Sequence, residues 1–348
     1  MLSNHLNMSY GTTAWSCVKR TLLGGALSLW CASVWAGDFA LSQPEVSTFV
    51  DDAVKQGLDR NSVVSAVQDA VYQPSIIKAM TKPAERRLRW DQYRALFLQP
   101  GKIERGADFV QRYLPAMERA EREYGVPREI IAAIIGVETD YGRNKGNYRV
   151  IDALSTLAFR YPQRAEFFKK ELLAYLTLTS EQQLDPRAFK GSYAGAMGYP
   201  QFMPSSYRAY AVDFTHTGIR DIWNSPEDAI GSVGRYFQAH GWHSGEAVVL
   251  PATGPATLPE GLQYNSIELP TYDVATVAAK GLQSQIAVPE GAKVNPLALE
   301  IADDQIEYLL GLHNFYVITR YNRSPLYAMA VTSLATQIQS TLAARQTP

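Results

Sequence analysis

The chain has 348 residues, of which 33 are basic and 34 acidic, 46% are hydrophobic and 2 are cysteine. It has no basic stripe of the kind that phosphate-driven binding needs, so nucleic acid is excluded as the expected partner. No segment reaches the roughly 20 apolar residues of a membrane-spanning helix, which leaves a soluble mature protein without a transmembrane segment as the expectation.

The first 36 residues read as a leader. Lys19 and Arg20 precede an apolar stretch from Leu22 to Val34, and Val34-Trp35-Ala36 offers the small residues that a signal peptidase reads. Cleavage is expected after Ala36. Without Lys19 and Arg20 the balance is 31 basic against 34 acidic residues, a net charge near −3. Cys17 and Cys31 both fall in the leader, so the mature chain is expected to hold no disulfide. A lipid-anchored form would need a small residue before its cysteine, and Trp30 does not supply one. Export without disulfides fits a bacterial periplasm, with a core large enough to carry stability alone.

From Pro44 to about Leu98 the pattern predicts short helices joined by turns. From Lys102 to Tyr124, Ile103, Phe109, Val110, Tyr113, Leu114 and Met117 recur at spacings of three and four, which predicts an amphipathic helix.

The next run, VPREIIAAIIGVETDYGR, is brought into a helix by Pro127 and out of it by Gly142 as a left-handed cap. Ile130, Ile131, Ala132, Ala133, Ile134, Ile135 and Val137 cover every face, as in a helix buried all round. Glu138 stands at the end of that apolar helix. Burial and the negative end of the helix dipole both disfavour its charged form, so its pKa is expected to rise. A carboxyl kept protonated near neutral pH suits a general acid for glycoside cleavage. The competing reading is an ion pair with Arg143 or Lys145.

The block KGSYAGAMGYPQFMPSSYRAYAVDF, from Lys190 to Phe214, combines glycines that allow close approach with hydroxyls, an amide and flat rings. The 20 tyrosines and 6 tryptophans point the same way, because sugar-binding surfaces use rings with a polar tip. A tight inter-helix connection is the alternative for this block. The reading stays helical to residue 245. After LPATGPATLPEGLQ the signals turn to short antiparallel strands in VVLPA, NSIEL, SQIAVPEG, LALEI and IEYLLGL, and SPLYAMAVTSLATQIQSTLAA returns to helix. The fold class expected is α+β, predominantly α.

GVETDYGRNKGNYRVIDALSTLAF and GSYAGAMGYPQFMPSSY, followed by DAIGSVGRYFQAHGW and NFYVITRYNRSPLYAMAV, resemble the lytic murein transglycosylase B family, in order across about Tyr93 to Leu334. The resemblance implies a lysozyme-like core flanked by an α domain and a small β domain. On that reading the chain divides into a signal peptide (1–36), an N-terminal α domain (37–105), the catalytic core (106–245), a β-rich domain (246–312) and a C-terminal segment returning to the body (313–348). It also implies non-hydrolytic cleavage of peptidoglycan between N-acetylmuramic acid and N-acetylglucosamine, giving a 1,6-anhydro sugar. Glu138 matches the family's single acid/base. Ser192 and Gln201 match residues near that acid, and Tyr236, Tyr321, Asn322 and Tyr327 the tyrosines and asparagine that line the cleft; Tyr93 matches an aromatic on the far wall, and Tyr199 and Phe202, read from the block itself, are further substrate-binding candidates.

The residues agree with a one-acid mechanism. Ordinary glycosidases set two carboxyls across the scissile bond. Asp140 faces elsewhere on the helix, and Asp152 reads as a cap or ion-pair partner. A substrate hydroxyl or N-acetyl group can replace the missing nucleophile. A lysozyme-type hydrolase and a catalytically silent peptidoglycan-binding protein are the alternatives.

At Asp213 the resembled family can carry a calcium loop. Asp213, Thr215, Thr217 and Gly218 meet the spacing, with Asp228 as a late ligand, but threonines in place of acids weaken calcium binding. The alternative is a metal-free turn, and no cofactor is required. The histidines make no zinc spacing, and Ser205 and Ser206 lack the Gly-x-Ser-x-Gly elbow. The expected partners are glycan strands, with cell-wall synthesis proteins as further candidates; a cleft enzyme on a polymer needs no second subunit, so a monomer is expected.

Overall fold

The computed structural model describes residues 37–81, 88–303 and 305–346. The leader, with Cys17, Cys31 and the expected cleavage after Ala36, lies outside the described residues. Four helices come first: α1 (Pro44–Lys55), α2 (Arg60–Asp69), α3 (Pro74–Thr81) and α4 (Trp90–Arg94). The expected single helix from Lys102 to Tyr124 is two, α5 (Pro100–Arg112) and α6 (Leu114–Tyr124). Pro115 sits in the first turn of α6 and cannot donate into a continuous ladder, so Tyr113 leaves helical geometry at φ −111° and ψ 28°.

α7 (Arg128–Thr139) is the central helix, and it packs against α5, α6, α11 (Pro226–Ala239) and α14 (Pro325–Gln346). Neighbours on all sides explain its lack of a polar face. Ile131, Ala132, Ala133, Ile134 and Ile135 are fully buried. α8 (Val150–Arg160) and α9 (Ala165–Glu181) pack on each other, α10 (Pro204–Tyr210) leans on α9, and α13 (His313–Tyr321) leads into α14. Asp152 is an ion-pair partner, accepting from Arg149 at 2.7 Å. No helix among the described residues is long and apolar enough to cross a membrane.

β1 (Tyr148–Arg149) and β2 (Lys190–Gly191) form a two-stranded antiparallel pair beside the functional block. The larger sheet is antiparallel in the order β4-β6-β7-β3-β5, from β3 (Val249–Thr253), β4 (Tyr272–Asp273), β5 (Gln283–Ser284), β6 (Lys293–Ala302) and β7 (Gln305–Gly311). Its central strands are covered on both faces. Leu297, Leu299 and Leu309 join the helical core, while Ala298, Tyr308 and Leu310 join a second apolar cluster with Val277 of α12 (Val274–Ala279). Double coverage accounts for the nearly continuous apolar run of β6.

Two strand expectations change, and one helix is added. NSIEL is a loop in which Asn265, at φ 56°, accepts from Ala298 N and donates to Ala298 O, so the segment follows the sheet without joining it. SQIAVPEG contributes only Ser284, the second residue of β5, and α12 was not signalled by its mixed Val/Ala sequence.

Candidate active site

α7 begins after Pro127 as its N-cap. Its left-handed cap falls on Asp140, at φ 51°, two residues before the expected Gly142. Gly142, at φ 87°, serves another need: a Cβ there would stand 2.1 Å from the Tyr199 ring. The close approach of this ring to the backbone needs a residue with no side chain.

Glu138 is the last charged residue of that helix, and neither proposed ion pair forms. Arg143 turns to Asp140 at 3.7 Å, and Lys145 Nζ donates to the Trp223 carbonyl at 2.6 Å while lying over the Tyr199 ring. The partner of Glu138 is the Tyr327 hydroxyl, which donates to Oε1 at 2.5 Å. Glu138 keeps part of its surface open to solvent, yet protein crowds its carboxyl, and this desolvation pushes its pKa up to about 7. The Tyr327 hydrogen bond favours the charged form and acts in the opposite direction. Asp140 is turned away in a bidentate pair with Arg105, at 2.8 and 3.0 Å, so the nearest acid in sequence is committed elsewhere.

The expected cleft residues separate into two layers. Ser192, Tyr199, Gln201, Tyr93 and Tyr321 are partly exposed, and Asn322 is exposed at the end of α13. Ser192 Oγ accepts from the backbone of Ala194 and Ala196 at 3.2 and 3.1 Å, which closes the glycine turn and leaves its hydroxyl proton to be donated outward. Gln201 holds φ 50° and ties Gly198 O, at 2.8 Å, to Lys145 O, at 3.3 Å, so the block is latched to the segment after the acid. Burial first, and the charge of Glu138 second, push the Tyr93 phenol up, which puts that ring within electrostatic reach of the acid.

Phe202, Tyr236 and Tyr327 are 2%, 7% and 3% exposed. They underlie the site rather than line it. Phe202 packs on Tyr236 and Tyr321 with centroids 5.7 and 6.0 Å apart, and Tyr236 donates to Arg320 O at 2.7 Å. Tyr321, whose hydroxyl donates to Pro200 O at 2.6 Å, joins this layer to the aromatic block. Its phenol and that of Tyr327 are pushed well up by burial and by the charge of Glu138.

The loop after Asp213 closes on hydrogen bonds. Asp228, fully buried, accepts from Phe214 N at 2.9 Å, Thr215 N at 3.0 Å, Thr215 Oγ1 at 3.0 Å and Asp221 N at 2.8 Å. Asp213 accepts from Thr217 N at 3.0 Å and Gly218 N at 2.7 Å. Every oxygen of both carboxylates already has an N–H donor, and Thr217 Oγ1 points at Asp213 and Ile219 O. No group of three or more acidic, histidine or cysteine side chains that could hold a metal occurs among the described residues. With threonines in place of acids, the loop offers few charged oxygens to a calcium ion.

Sequence reasoning missed Thr139, Arg105 and Lys102. Thr139 Oγ1 donates to Tyr199 O at 3.0 Å and accepts from Gly142 N at 3.0 Å, pinning the end of α7 to the aromatic block. Its place beside Glu138 was the only sequence signal. Arg105 and Lys102 belong to α5 and had none.

An acid at the end of a buried helix, a glycine-aromatic block latched to it and a tyrosine layer behind define a transglycosylase: the chain belongs to the family described as Transglycosylase SLT domain, which matches residues 41–336. It is 43% identical over 309 residues to membrane-bound lytic murein transglycosylase B of Escherichia coli (strain K12), covering 86% of this chain and 83% of that protein. Soluble lytic transglycosylase SltB1 of Pseudomonas aeruginosa superposes with a TM-score of 0.79 at 47% identity, over 86% of this chain and 99% of that one. The Escherichia coli lytic transglycosylase Slt35 in complex with calcium gives 0.82 at 42%, over 88% and 96%. The chain is accordingly a peptidoglycan lytic transglycosylase, a lyase by reaction class.

Proposed function

We propose that the protein is exported to the periplasm and cleaves the β-1,4 bond between N-acetylmuramic acid and N-acetylglucosamine without water, leaving 1,6-anhydromuramic ends. One observation carries the reading: Glu138 has a pKa of about 7, set by burial and by Tyr327, with no second carboxylate contributing among the described residues. A group that titrates near neutral pH can give a proton and then recover one. In the first step the Glu138 carboxylic acid protonates the glycosidic oxygen, the C1–O bond breaks and the N-acetylglucosamine side leaves as an alcohol. In the second step the Glu138 carboxylate takes the proton of the muramoyl C6 hydroxyl while O6 bonds to C1. The acid is regenerated and no water is consumed. Tyr327 holds Oε1, so Oε2 is the oxygen left to carry the transferred proton.

Ser192, Gln201, Tyr93, Tyr199, Tyr321 and Asn322 supply the polar and flat surfaces that a glycan strand requires, with Phe202, Tyr236 and Tyr327 as their support. The loop at Asp213 closes without metal. Export is supported by the Lys19-Arg20 start and the apolar run from Leu22 to Val34.

Digestion of purified sacculi followed by mass spectrometry tests the reaction. Anhydro ends are expected; reducing ends, one water heavier, point to a hydrolase, and an unchanged suspension to a binding protein. Glu138→Gln is expected to bind sacculi and release nothing. Mass spectrometry of the exported protein, with Gly37 expected as the first residue, tests the leader.

A further inference from the structure

The residues straight after Glu138 hold a conformation that side chains rarely adopt. Asp140 at φ 51° and Tyr141 at φ 59° are successive non-glycine residues in the left-handed region, and the glycine that would take it freely comes only at 142. Such a conformation persists where the surroundings over-determine it.

Those surroundings are one face of α5. Lys102, Arg105, Gly106 and Phe109 fall at i, i+3, i+4 and i+7, so they line up along the helix. Lys102 Nζ donates to Gly136 O at 3.1 Å, on the last turn of α7. The Arg105 guanidinium grips the Asp140 carboxylate by three contacts, Nη2 to Oδ1 at 2.8 Å, Nη2 to Oδ2 at 3.0 Å and Nε to Oδ1 at 3.2 Å. Gly106 and Gly136 leave room for the Tyr141 phenol, since a Cβ on either would stand 2.5 Å from its oxygen. The Phe109 ring lies 5.5 Å from that of Tyr141. All four residues meet the turn, and none is bonded to Glu138.

We propose that Arg105 is a positioning residue: through its fork on Asp140 it holds the left-handed turn that sets Glu138 against Tyr327. The inference rests on Glu138 being the acid. The pair is partly exposed, at 35% and 24% of the side chains, where an ion pair adds little to stability; its effect is geometric, because a planar fork fixes direction as well as distance. Without it the turn relaxes to negative φ, and the last residues of α7 rotate with it.

Arg105→Gln is expected to lower the release of anhydro-muropeptides from sacculi tenfold or more while leaving sacculus binding intact. Glycine takes φ 51° without strain, so Arg105→Gln/Asp140→Gly is expected to recover to within threefold of the parent. Arg105→Gln/Asp140→Ala removes the same charge but keeps the Cβ, and is expected to stay impaired. Arg105→Lys, which keeps charge without the fork, is expected to fall between parent and Arg105→Gln and serves as the readout if Arg105→Gln does not fold. Full activity in folded Arg105→Gln or Arg105→Lys, or equal recovery with Ala and Gly at 140, overturns the inference. Glu138→Gln assayed beside them separates the two levels: activity there removes the acid assignment itself, whereas an inactive Glu138→Gln beside a fully active Arg105→Gln removes only the clamp.

Discussion

The Tyr327 hydroxyl stands 2.5 Å from Oε1 of Glu138, bringing together residues 189 positions apart in the chain. The tyrosine is almost fully buried, so it touches the acid and not the surface that meets a glycan.

Removing that hydroxyl changes the acid's titration. The hydrogen bond lowers the Glu138 pKa, so Tyr327→Phe moves it above about 7. A hydrogen bond to a charged group contributes about 1.5–3 kcal/mol, which corresponds to a shift of roughly one to two units. The alkaline limb of the pH–activity profile is expected to move up by that amount while turnover falls, since a weaker acid protonates the glycosidic oxygen less readily in the first step. Identical profiles for the two proteins would remove the tuning role.

Glu138 also makes stability depend on pH in an unusual direction. Its folded pKa of about 7 lies above the ordinary 4.5, so between those values the folded chain binds the extra proton and stability falls as pH rises, with no further loss beyond about 7. At 1.36 kcal/mol per unit the penalty at pH 8 reaches about 3 kcal/mol at most. Glu138→Gln is therefore expected to abolish activity and raise the melting temperature at pH 8, with little change at pH 4. Equal melting shifts at both pH values would contradict the raised pKa.

The Tyr141 hydroxyl is buried with no hydrogen-bond partner among the described residues. An unpaired buried group of this kind costs about 1–3 kcal/mol. Tyr141→Phe keeps the ring between Gly106 and Gly136, so thermal melting should be unchanged or higher and sacculus digestion retained. A drop of several degrees would show a partner for the hydroxyl in solution.

Asp228 gathers the backbone N–H groups of Phe214, Thr215 and Asp221. Asp228→Ala should destabilise the protein by about 3 kcal/mol or more, as buried donors left unsatisfied do. With the loop closed in this way, chelator and added calcium are expected to leave the melting temperature in place. A rise with calcium would overturn the metal-free loop, because a ligand bound only to the folded state stabilises it.

The apolar run of α7 determines a helix buried on all sides, and any acid at its end must be desolvated. Glu138 was therefore legible, as were the short N-terminal helices, the final helix and the glycine-aromatic block. The break at Tyr113 was readable in principle from Pro115, but the apolar spacing runs straight through it.

Other assignments depended on which side chains end up face to face. Sequence offered Arg143 and Lys145 as partners for Glu138, both nearby in the chain; the fold sends them to Asp140 and Trp223 and supplies Tyr327 from α14. Tyrosines that line a site and tyrosines that support it look alike in sequence, and only burial separates Tyr321 from Tyr236 and Tyr327. The sequence alone determined that Glu138 ends a buried apolar helix, because desolvation follows from local apolar composition. Tertiary structure alone decided how that acid is held, because hydrogen bonds act only over a few ångströms and the groups that supply them here are distant in the chain.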